Sequence, residues 1–366
     1  MKKIASIWLI VVFGLIMLLV ACGEKSQEDV LKKLEDKVSS MDGYKAKAEM
    51  KMNTGEDNQT YQIDVWHKQK EYYRVALTND QDKKGSQVIL KNKDGVFVLT
   101  PELNKSFKFQ TDWPDNSSQP YLFQSLVKDI KEDKDAEFKV SDNTYMFQTK
   151  TNYQSNNNLP YQQIYFDKKT YAPKLVKVLD KDKNALVEVT FSGFDMKPSF
   201  KDGDFAMDDN MSSGDTKDPA SAEEGTESKA DEQASAEADD QADTDESADE
   251  GANSESLTVT LPLNMAGAEL SEQKEVDTDN GKRVIMTYAG EKNFTLIEEQ
   301  SKVQQTLSSP QEVKGDIVNL GHSIGALSDN SIQWNQNGVN YYLASEDLTK
   351  EELIEVAKSV QGKAVK

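Results

Sequence analysis

Cys22, the only cysteine of the chain, has the surroundings that most clearly specify a chemical modification. Two lysines open the chain, an uncharged apolar run fills residues 4–20, and the small residue Ala21 stands directly before the cysteine. A basic start, a short apolar stretch and small residues before a cut are typical of a secretory signal. Leu19 completes a lipobox-like pattern, so we predict that the Cys22 thiol carries a diacylglycerol group.

This interpretation also predicts where the protein is located. Residues 1–21 would be a lipoprotein signal peptide, and the mature chain would begin at Cys22 on the extracytoplasmic face of the cell membrane. The alternative is an uncleaved N-terminal anchor with an incidental cysteine, which also places the rest of the chain outside the cytoplasm. Lipidation would consume the one thiol, so the exported domains must be stabilised without disulfides.

Two short motifs could indicate an enzyme, and both lack the partners that their chemistry needs. Residues 321–325 (GHSIG) match a nucleophile elbow, which requires a following helix and a later acid and histidine. No histidine follows His322, so a turn is the better interpretation. Ser125 and Lys128 match an S-x-x-K pattern, but the companion SDN and KTG motifs are absent.

The remaining residues offer little to a cofactor. The chain has two histidines, and it has no compact carboxylate cluster outside its acidic segment, which leaves no credible zinc or iron site. A phosphate-cradling glycine loop is also missing. We therefore expect no catalytic residues, no metal and no cofactor, and a protein that is not an enzyme.

An acidic segment divides the chain. Residues 212–256 carry sixteen acidic residues and two lysines, a net charge of −14, with no aromatic or branched aliphatic side chain. Such a composition cannot form a core and predicts a disordered, solvated linker, which we place at residues 206–256. No basic stripe compensates for this charge, so nucleic-acid binding is not expected.

The segment before the linker combines two helices with many strands. Alternation at residues 44–52 predicts a half-buried strand, and amphipathic helices are predicted at 27–39 and 121–130. Other strands are predicted at 59–68, 72–77, 87–91, 95–100, 106–110, 137–139, 145–149, 162–167, 175–179 and 186–191. Consecutive hairpins favour an α+β fold with a strongly curved antiparallel sheet and helices on one side.

Residues 66–75 (WHKQKEYYRV) and 94–105 (DGVFVLTPELNK) resemble the LolA-like lipoprotein carriers, and within them the YdcC group of endospore-forming Gram-positive bacteria. The resemblance extends over residues 1–205. It implies an incomplete β-barrel domain over residues 22–205, with lid helices, that shelters acyl chains or an apolar partner segment without catalysis. True carriers are soluble shuttles, whereas Cys22 would fix this chain to a membrane.

The resemblance also implies a set of ligand-cavity residues. In the family, an arginine at the position of Arg74 helps to hold the lid closed. Plain core packing is the alternative for each apolar candidate. The candidates are Met50, Ile63, Val65, Arg74, Val75, Val98, Leu122, Leu126, Phe147, Ile164 and Val189.

Residues 257–366 are predicted to form a small α+β domain. Strands are expected at 257–261, 282–288, 294–299, 312–320, 325–327, 331–335 and 339–344, followed by a helix at 347–360. Segments 331–334 and 341–343 resemble a small extracytoplasmic domain found at the C-termini of Gram-positive membrane-anchored and anti-sigma-like proteins. That resemblance implies contact with a protein or with the envelope.

The sequence is compatible with two functions. The first is a membrane-anchored LolA-like lipoprotein that binds acyl chains, a lipoprotein or an apolar partner segment, with a carrier or chaperone role in sporulation. The alternative is a regulatory or scaffolding lipoprotein whose surface binds and controls an envelope or cell-wall enzyme. A hollow barrel would favour the first, and a barrel packed shut would favour the second.

Overall fold

The computed structural model describes residues 25–53, 59–69, 71–79, 86–115, 117–153, 159–212, 257, 259–278, 281–300, 309–313, 315–320, 323–336 and 338–360. The predicted signal, Cys22 and residues 213–256 lie outside these ranges, as does His322 of the GHSIG motif. Within the described residues, no helix has both the length and the apolar character that a membrane span requires.

The first domain begins with a helix and continues mostly as strands. Its elements are α1 (Gln27–Ser40), β1 (Gly43–Met52), β2 (Gln59–Lys68), β3 (Tyr72–Asn79), β4 (Gln87–Asn92), β5 (Gly95–Thr100), β6 (Lys105–Phe109), α2 (Phe123–Glu132), β7 (Glu137–Val140), β8 (Thr144–Lys150), β9 (Tyr161–Asp167), β10 (Pro173–Leu179), β11 (Ala185–Asp195) and α3 (Met207–Ser212). Ser26 caps α1 in a reciprocal capping box with Asp29, which explains where this helix starts.

The second domain contributes eight more strands and one helix. They are β12 (Ala268–Thr278), β13 (Gly281–Gly290), β14 (Phe294–Gln300), β15 (Gln311–Val313), β16 (Asp316–Asn319), β17 (Ile324–Leu327), β18 (Ser331–Gln336), β19 (Val339–Ala344) and α4 (Lys350–Lys358). Thr349 caps α4 in a second capping box with Glu352.

The described strands form two sheets. One has twelve strands in the order β15-β6-β5-β4-β3-β2-β1-β11-β10-β9-β8-β7, and the other has seven in the order β12-β13-β14-β19-β18-β17-β16. All neighbours are antiparallel except β15 and β6, which are parallel. The prediction of an α+β fold with a curved, meandering antiparallel sheet and a small C-terminal α+β domain is confirmed.

The large sheet buries both of its faces over part of its width. We call the face that carries α1 and α2 the inner face, and the face that carries residues 200–212 the outer face. In β5, Val96 and Val98 join the inner core, whereas Phe97 and Leu99 join a separate outer cluster with Met211 of α3. The short helix α3 on the outer face was not predicted.

The second domain departs from prediction at three places. Residues 259–261 are not a strand. The long edge strand β12 was missed because its side chains from Glu269 to Glu275 are exposed on both faces, so no alternation marks it. The predicted strand at 312–320 is split in two, and its first part, β15, belongs to the sheet of the first domain.

The crossing between the two sheets occurs at Gly315. Its φ is +142°, and a Cβ there would lie 2.1 Å from the carbonyl oxygen of Leu327. Glycine tolerates this conformation without a steric penalty, which allows the chain to leave β15 and enter β16 at once. The apolar side chains of Val313, Ile317 and Ile324 then pack into the inner core of the first domain.

Candidate functional site

The ten apolar residues predicted to line a cavity lie together in the core between the inner face of the large sheet and α2, which contributes Leu126 and its N-cap residue Leu122. They are Met50, Ile63, Val65, Val75, Val98, Leu122, Leu126, Phe147, Ile164 and Val189. Each is at most 3% exposed. Their burial supports the core-packing alternative for most of them, because the side chains fill the space between the sheet and the two helices α1 and α2.

Arg74 does not belong to this set, and the prediction that it lines the same cavity is wrong. Successive side chains of a strand point to opposite faces, so Arg74 faces outwards between the inward-facing Tyr73 and Val75. Its Nε donates a 2.6 Å hydrogen bond to Oδ1 of Asn210 in α3. Its guanidinium also lies 4.6 Å from the ring centre of Trp66. Arg74 therefore holds α3 on the outer face.

A buried polar layer joins α2 to the sheet. Gln162 donates a 2.6 Å hydrogen bond to the Asp129 carboxylate, and the Thr149 hydroxyl donates to the Asp129 carbonyl at 3.1 Å. Burial raises the pKa of Asp129 to about 6, and the hydrogen bond from Gln162 opposes that shift. These contacts fix α2 in place on the sheet.

An aromatic cluster lies at the other end of α2. The ring of His67 stacks on Tyr73 at 4.4 Å and lies 5.4 Å from the ring of Tyr44. The Tyr44 hydroxyl donates to Gln124 at 3.0 Å and accepts a hydrogen bond from the backbone N–H of Phe123. Burial lowers the pKa of His67 to about 4, so this imidazole is neutral at physiological pH.

The second domain docks on the first through strand pairing and a buried glutamine. β15 pairs in parallel with β6, with Gln311 opposite Phe107 and Val313 opposite Phe109. The Oε1 of Gln87, a residue 5% exposed, accepts a 3.1 Å hydrogen bond from the backbone N–H of Ile324. The two domains therefore share one buried interface in the described residues.

Two clefts lie along this seam. The first, of about 330 Å³, is mixed in character, with polar side chains such as Gln87 and Asn340 beside Val98 and Phe107. Burial lowers the pKa of Lys105 in its wall, and Glu299 opposes that shift.

The second cleft, of about 230 Å³, is mainly apolar and lies between β1, β11 and the end of α4. Its apolar wall consists of Met50, Met52, Pro120, Tyr153, Leu159, Leu186, Val187 and Leu320. Its polar rim consists of Asn264, Asn319, Glu355, Lys358 and Ser359. We call it the seam cleft.

An ion pair stands on the rim of the seam cleft. Nζ of Lys358 lies 3.8 Å from the Glu355 carboxylate, and the two side chains are 21% and 20% exposed. Burial lowers the pKa of Lys358, and the adjacent Glu355 carboxylate opposes that shift. Ser359 links the same rim to the loop before β12, because its hydroxyl accepts a hydrogen bond from the backbone N–H of Asn264 at 3.0 Å.

Of the predicted cavity residues, Met50 reaches the seam cleft, Val98 reaches the mixed cleft, and Leu122 borders a third pocket of about 170 Å³ beside α2. Met52, two residues after Met50 on the same face of β1, also lines the seam cleft. Leu186, Val187 and the whole α4 side of the cleft were missed. No local pattern could indicate them, since the cleft exists only where two domains meet.

The serines of the two enzyme-like motifs are engaged in structural contacts. Ser323 contacts the backbone carbonyl of Asn335 through its hydroxyl. Ser125 accepts a 2.7 Å hydrogen bond from the backbone N–H of Gln119, and Lys128 donates to the Asp115 carbonyl at 3.0 Å. Among the described residues, no group of three or more His, Cys, Asp and Glu side chains could hold a metal ion.

Known protein sequences match both domains of the chain. The family described as "Sporulation protein YdcC-like" matches residues 1–205, and a domain of unknown function (DUF4367) matches residues 259–360. The sporulation protein YdcC of Bacillus subtilis (strain 168) is 44% identical over 369 residues, which cover 100% of both chains. The second match corresponds to the domain that begins after the acidic segment.

Solved structures show more distant similarity. The MucA/MucB complex of Pseudomonas aeruginosa matches with 12% identity over 92% of this chain and 99% of that chain, at a TM-score of 0.32. A LolA superfamily protein of Nitrosomonas europaea matches with 10% identity over 50% and 99%, at 0.29. A chain of the complex between the CwlD amidase of Clostridioides difficile and the GerS lipoprotein matches with 15% identity over 49% and 97%, at 0.20.

Because these TM-scores are low, no function is inferred from the solved structures. The fold is described from the strand order of the protein itself. The family rests on the sequence matches, which agree with the resemblance carried by residues 66–75 and 94–105. This chain belongs to the YdcC-like sporulation protein family.

Proposed function

We propose that this protein is a membrane-anchored lipoprotein of sporulation that binds an apolar ligand without catalysing a reaction. The ligand is an acyl chain or an apolar segment of an envelope protein. It is taken up at the seam between the two domains and not inside the half-barrel. The lipid anchor at Cys22 keeps this site at the extracytoplasmic surface of the cell membrane.

The observation that carries this proposal is the seam cleft. Space of about 230 Å³ remains there, at the edge of the inner face, where Met50, Met52 and Val187 border it. Most of the other predicted cavity residues are packed into the core. Met50 and Met52 form part of the cleft wall, and methionine side chains adapt to ligands of varied shape. Burial of apolar ligand surface supplies about 25 cal/mol per Å² without any bond chemistry.

Two further features support binding over catalysis. Ser323, Ser125 and Lys128 are each engaged with backbone groups, which leaves them poorly placed as nucleophile or base. His67 is buried among aromatic rings. Its contacts are with Tyr44, Tyr73 and the backbone carbonyl of Tyr72, and none of these belongs to a serine motif.

The test is native mass spectrometry, with organic extraction, of the two-domain chain lacking residues 1–22 and purified from cells. A lipid, fatty acid or apolar peptide recovered at near-unit stoichiometry would support the proposal. An empty protein that also leaves the fluorescence of an apolar dye unchanged would overturn it. The anchor is tested separately: labelled palmitate should be incorporated by the full chain and not by Cys22→Ser.

The second candidate is a regulatory or scaffolding lipoprotein that binds and controls an envelope or cell-wall enzyme. The packed inner face and the docked second domain favour it, because a filled half-barrel presents a rigid surface. Crosslinking in sporulating cells would then recover one stoichiometric protein partner. Recovery of that partner from a protein that binds no apolar ligand would decide between the two.

A further inference from the structure

The seam cleft combines a narrow apolar wall with a polar rim of no net charge. Its volume of about 230 Å³ is below the roughly 300–1,000 Å³ typical of drug-sized ligand sites, so it suits one acyl chain and not two. Glu355 and Lys358 are the two charged residues among those that line it, and they pair with each other.

The rim sets which polar head such a chain can carry. An anionic head would be attracted by Lys358 and repelled by the Glu355 carboxylate. A cationic head would be attracted by Glu355 and repelled by Lys358. Asn264 and Asn319 add amide groups that suit donors and acceptors without charge. The Ser359 hydroxyl donates its proton to the Val356 carbonyl and so offers only an acceptor.

We propose that the seam cleft binds a single-chain amphiphile with an uncharged polar head, of the monoacylglycerol class. The chain lies against Met50, Met52 and Leu186, and the head lies at the rim formed by the end of α4. This inference rests on the proposed apolar-ligand function and names the ligand class and the place where it binds.

The site needs both domains. Met50, Met52 and Leu186 come from β1 and β11 of the first domain, whereas the rim residues come from the second. The full two-domain chain is therefore the form to be tested.

The experiment is displacement of Nile red from the full chain lacking residues 1–22 at pH 7.5. Glycerol monododecanoate, dodecanoate and dodecylamine are compared at equal chain length, below their micelle concentrations. The monoacylglycerol should displace the dye at a concentration about tenfold lower than either charged ligand. A charged head would meet one like and one opposite charge at the rim, so no net attraction would offset the loss of its water.

Variants of the rim test its charge. Glu355→Gln leaves a net positive rim and should improve displacement by dodecanoate about tenfold, and Lys358→Gln should do the same for dodecylamine. Leu186→Trp should fill the wall and weaken all three ligands. Leu175→Trp is the matched control, because this half-buried leucine on neighbouring β10 does not border the cleft and should leave binding unchanged.

The outcomes separate this inference from the function on which it rests. Nile red that binds but responds equally to Leu186→Trp and Leu175→Trp would overturn the site and leave apolar binding standing. Equal displacement by the three ligands, unaltered in both rim variants, would overturn the assignment of an uncharged head. A folded protein that does not bind Nile red at all would overturn the proposed function as well.

Discussion

Buried ionisable side chains are the residues of this protein whose energetics can be tested most directly. His67 is 7% exposed, and its Nδ1 lies 3.1 Å from the backbone carbonyl oxygen of Tyr72. Because burial disfavours the imidazolium, its pKa falls from the ordinary 6.5 to about 4. Between these values the unfolded chain binds a proton that the folded chain does not.

We therefore expect the half-barrel to lose stability as the pH falls from about 6.5 to 4, by up to roughly 1.4 kcal/mol per pH unit from this group. His67→Phe keeps a ring beside Tyr73 and cannot titrate, so its free energy of unfolding should fall less over that range. Urea unfolding at pH 7 and pH 4.5 measures the difference. Identical pH dependence in both proteins would contradict the assignment.

Glu298, in the second domain, should give the opposite pH dependence of stability. It is fully buried, and its carboxylate accepts hydrogen bonds from the backbone N–H of Thr260 at 3.1 and 3.2 Å. Burial raises its pKa from the ordinary 4.5 to about 8, against the effect of those bonds. The folded chain then retains a proton that the unfolded chain releases above pH 4.5.

We expect this contribution to stability to decline as the pH rises from about 4.5 to 8. Glu298→Gln keeps an acceptor for Thr260 and removes the titration, so its stability relative to the native protein should rise between pH 5 and pH 8. Thermal unfolding across that range checks it, with exposed Glu272→Gln as the control. A constant difference between Glu298→Gln and the native protein would show that the carboxyl does not titrate as expected.

At the scale of elements, the sequence predicted those strands whose pattern reflects one buried face. The alternate residues of β1 from Tyr44 to Met52 are all buried, as the alternation indicates. The exposed strand β12 and the short helix α3 lack that signal, since neither presents a long amphipathic pattern. Arg74 was misplaced for a related reason: family resemblance suggested a role without regard to the side of the strand on which it lies.

The docking of α3 depends on one buried amide. Asn210 is 4% exposed, accepts from Arg74 at 2.6 Å, and donates to the carbonyls of Ala206 and Asp204 at 2.8 and 3.2 Å. Asn210→Ala should lower the free energy of unfolding by about 1–3 kcal/mol, because it leaves a buried guanidinium donor without this acceptor. Exposed Asp208→Ala on the same helix should change it by less than about 0.5 kcal/mol.

Equal losses in Asn210→Ala and Asp208→Ala, measured by urea unfolding, would contradict this account of α3. The comparison also tests whether the first domain extends beyond residue 205. If Arg74 and Asn210 hold α3 as described, a chain that ends at residue 205 lacks a part of the outer core.

At the scale of the whole molecule, the described residues join the two domains by one parallel strand pair, an apolar contact and the hydrogen bond between Gln87 and Ile324. β15 has three residues, of which Gln311 and Glu312 are exposed and Val313 is 6% exposed. The sequence could predict neither this pairing nor the seam cleft. A three-residue strand carries almost no local signal, and its partner β6 lies about two hundred residues earlier in the chain.

Val313 is the buried residue of β15 and offers a direct test of this joint. Val313→Asp would place a charge in the inner core beside β6, at a cost of several kcal/mol that undocking of the second domain can avoid. We expect the amides of residues 105–109 to exchange hydrogen at least tenfold faster in this variant. We also expect thermal unfolding to separate into two transitions, because each domain keeps its own core.

Glu312→Gln is the control for that experiment. It removes a 3.6 Å ion pair between Glu312 and Lys108, in which both side chains are well exposed, and such pairs contribute about 0–1 kcal/mol. Exchange at β6 should therefore stay near the native rate. A single transition in Val313→Asp with β6 still protected would mean that contacts along the seam, such as Gln87 with Ile324, hold the domains without the strand pair. The seam cleft would then survive the loss of β15, and ligand binding would not depend on this strand.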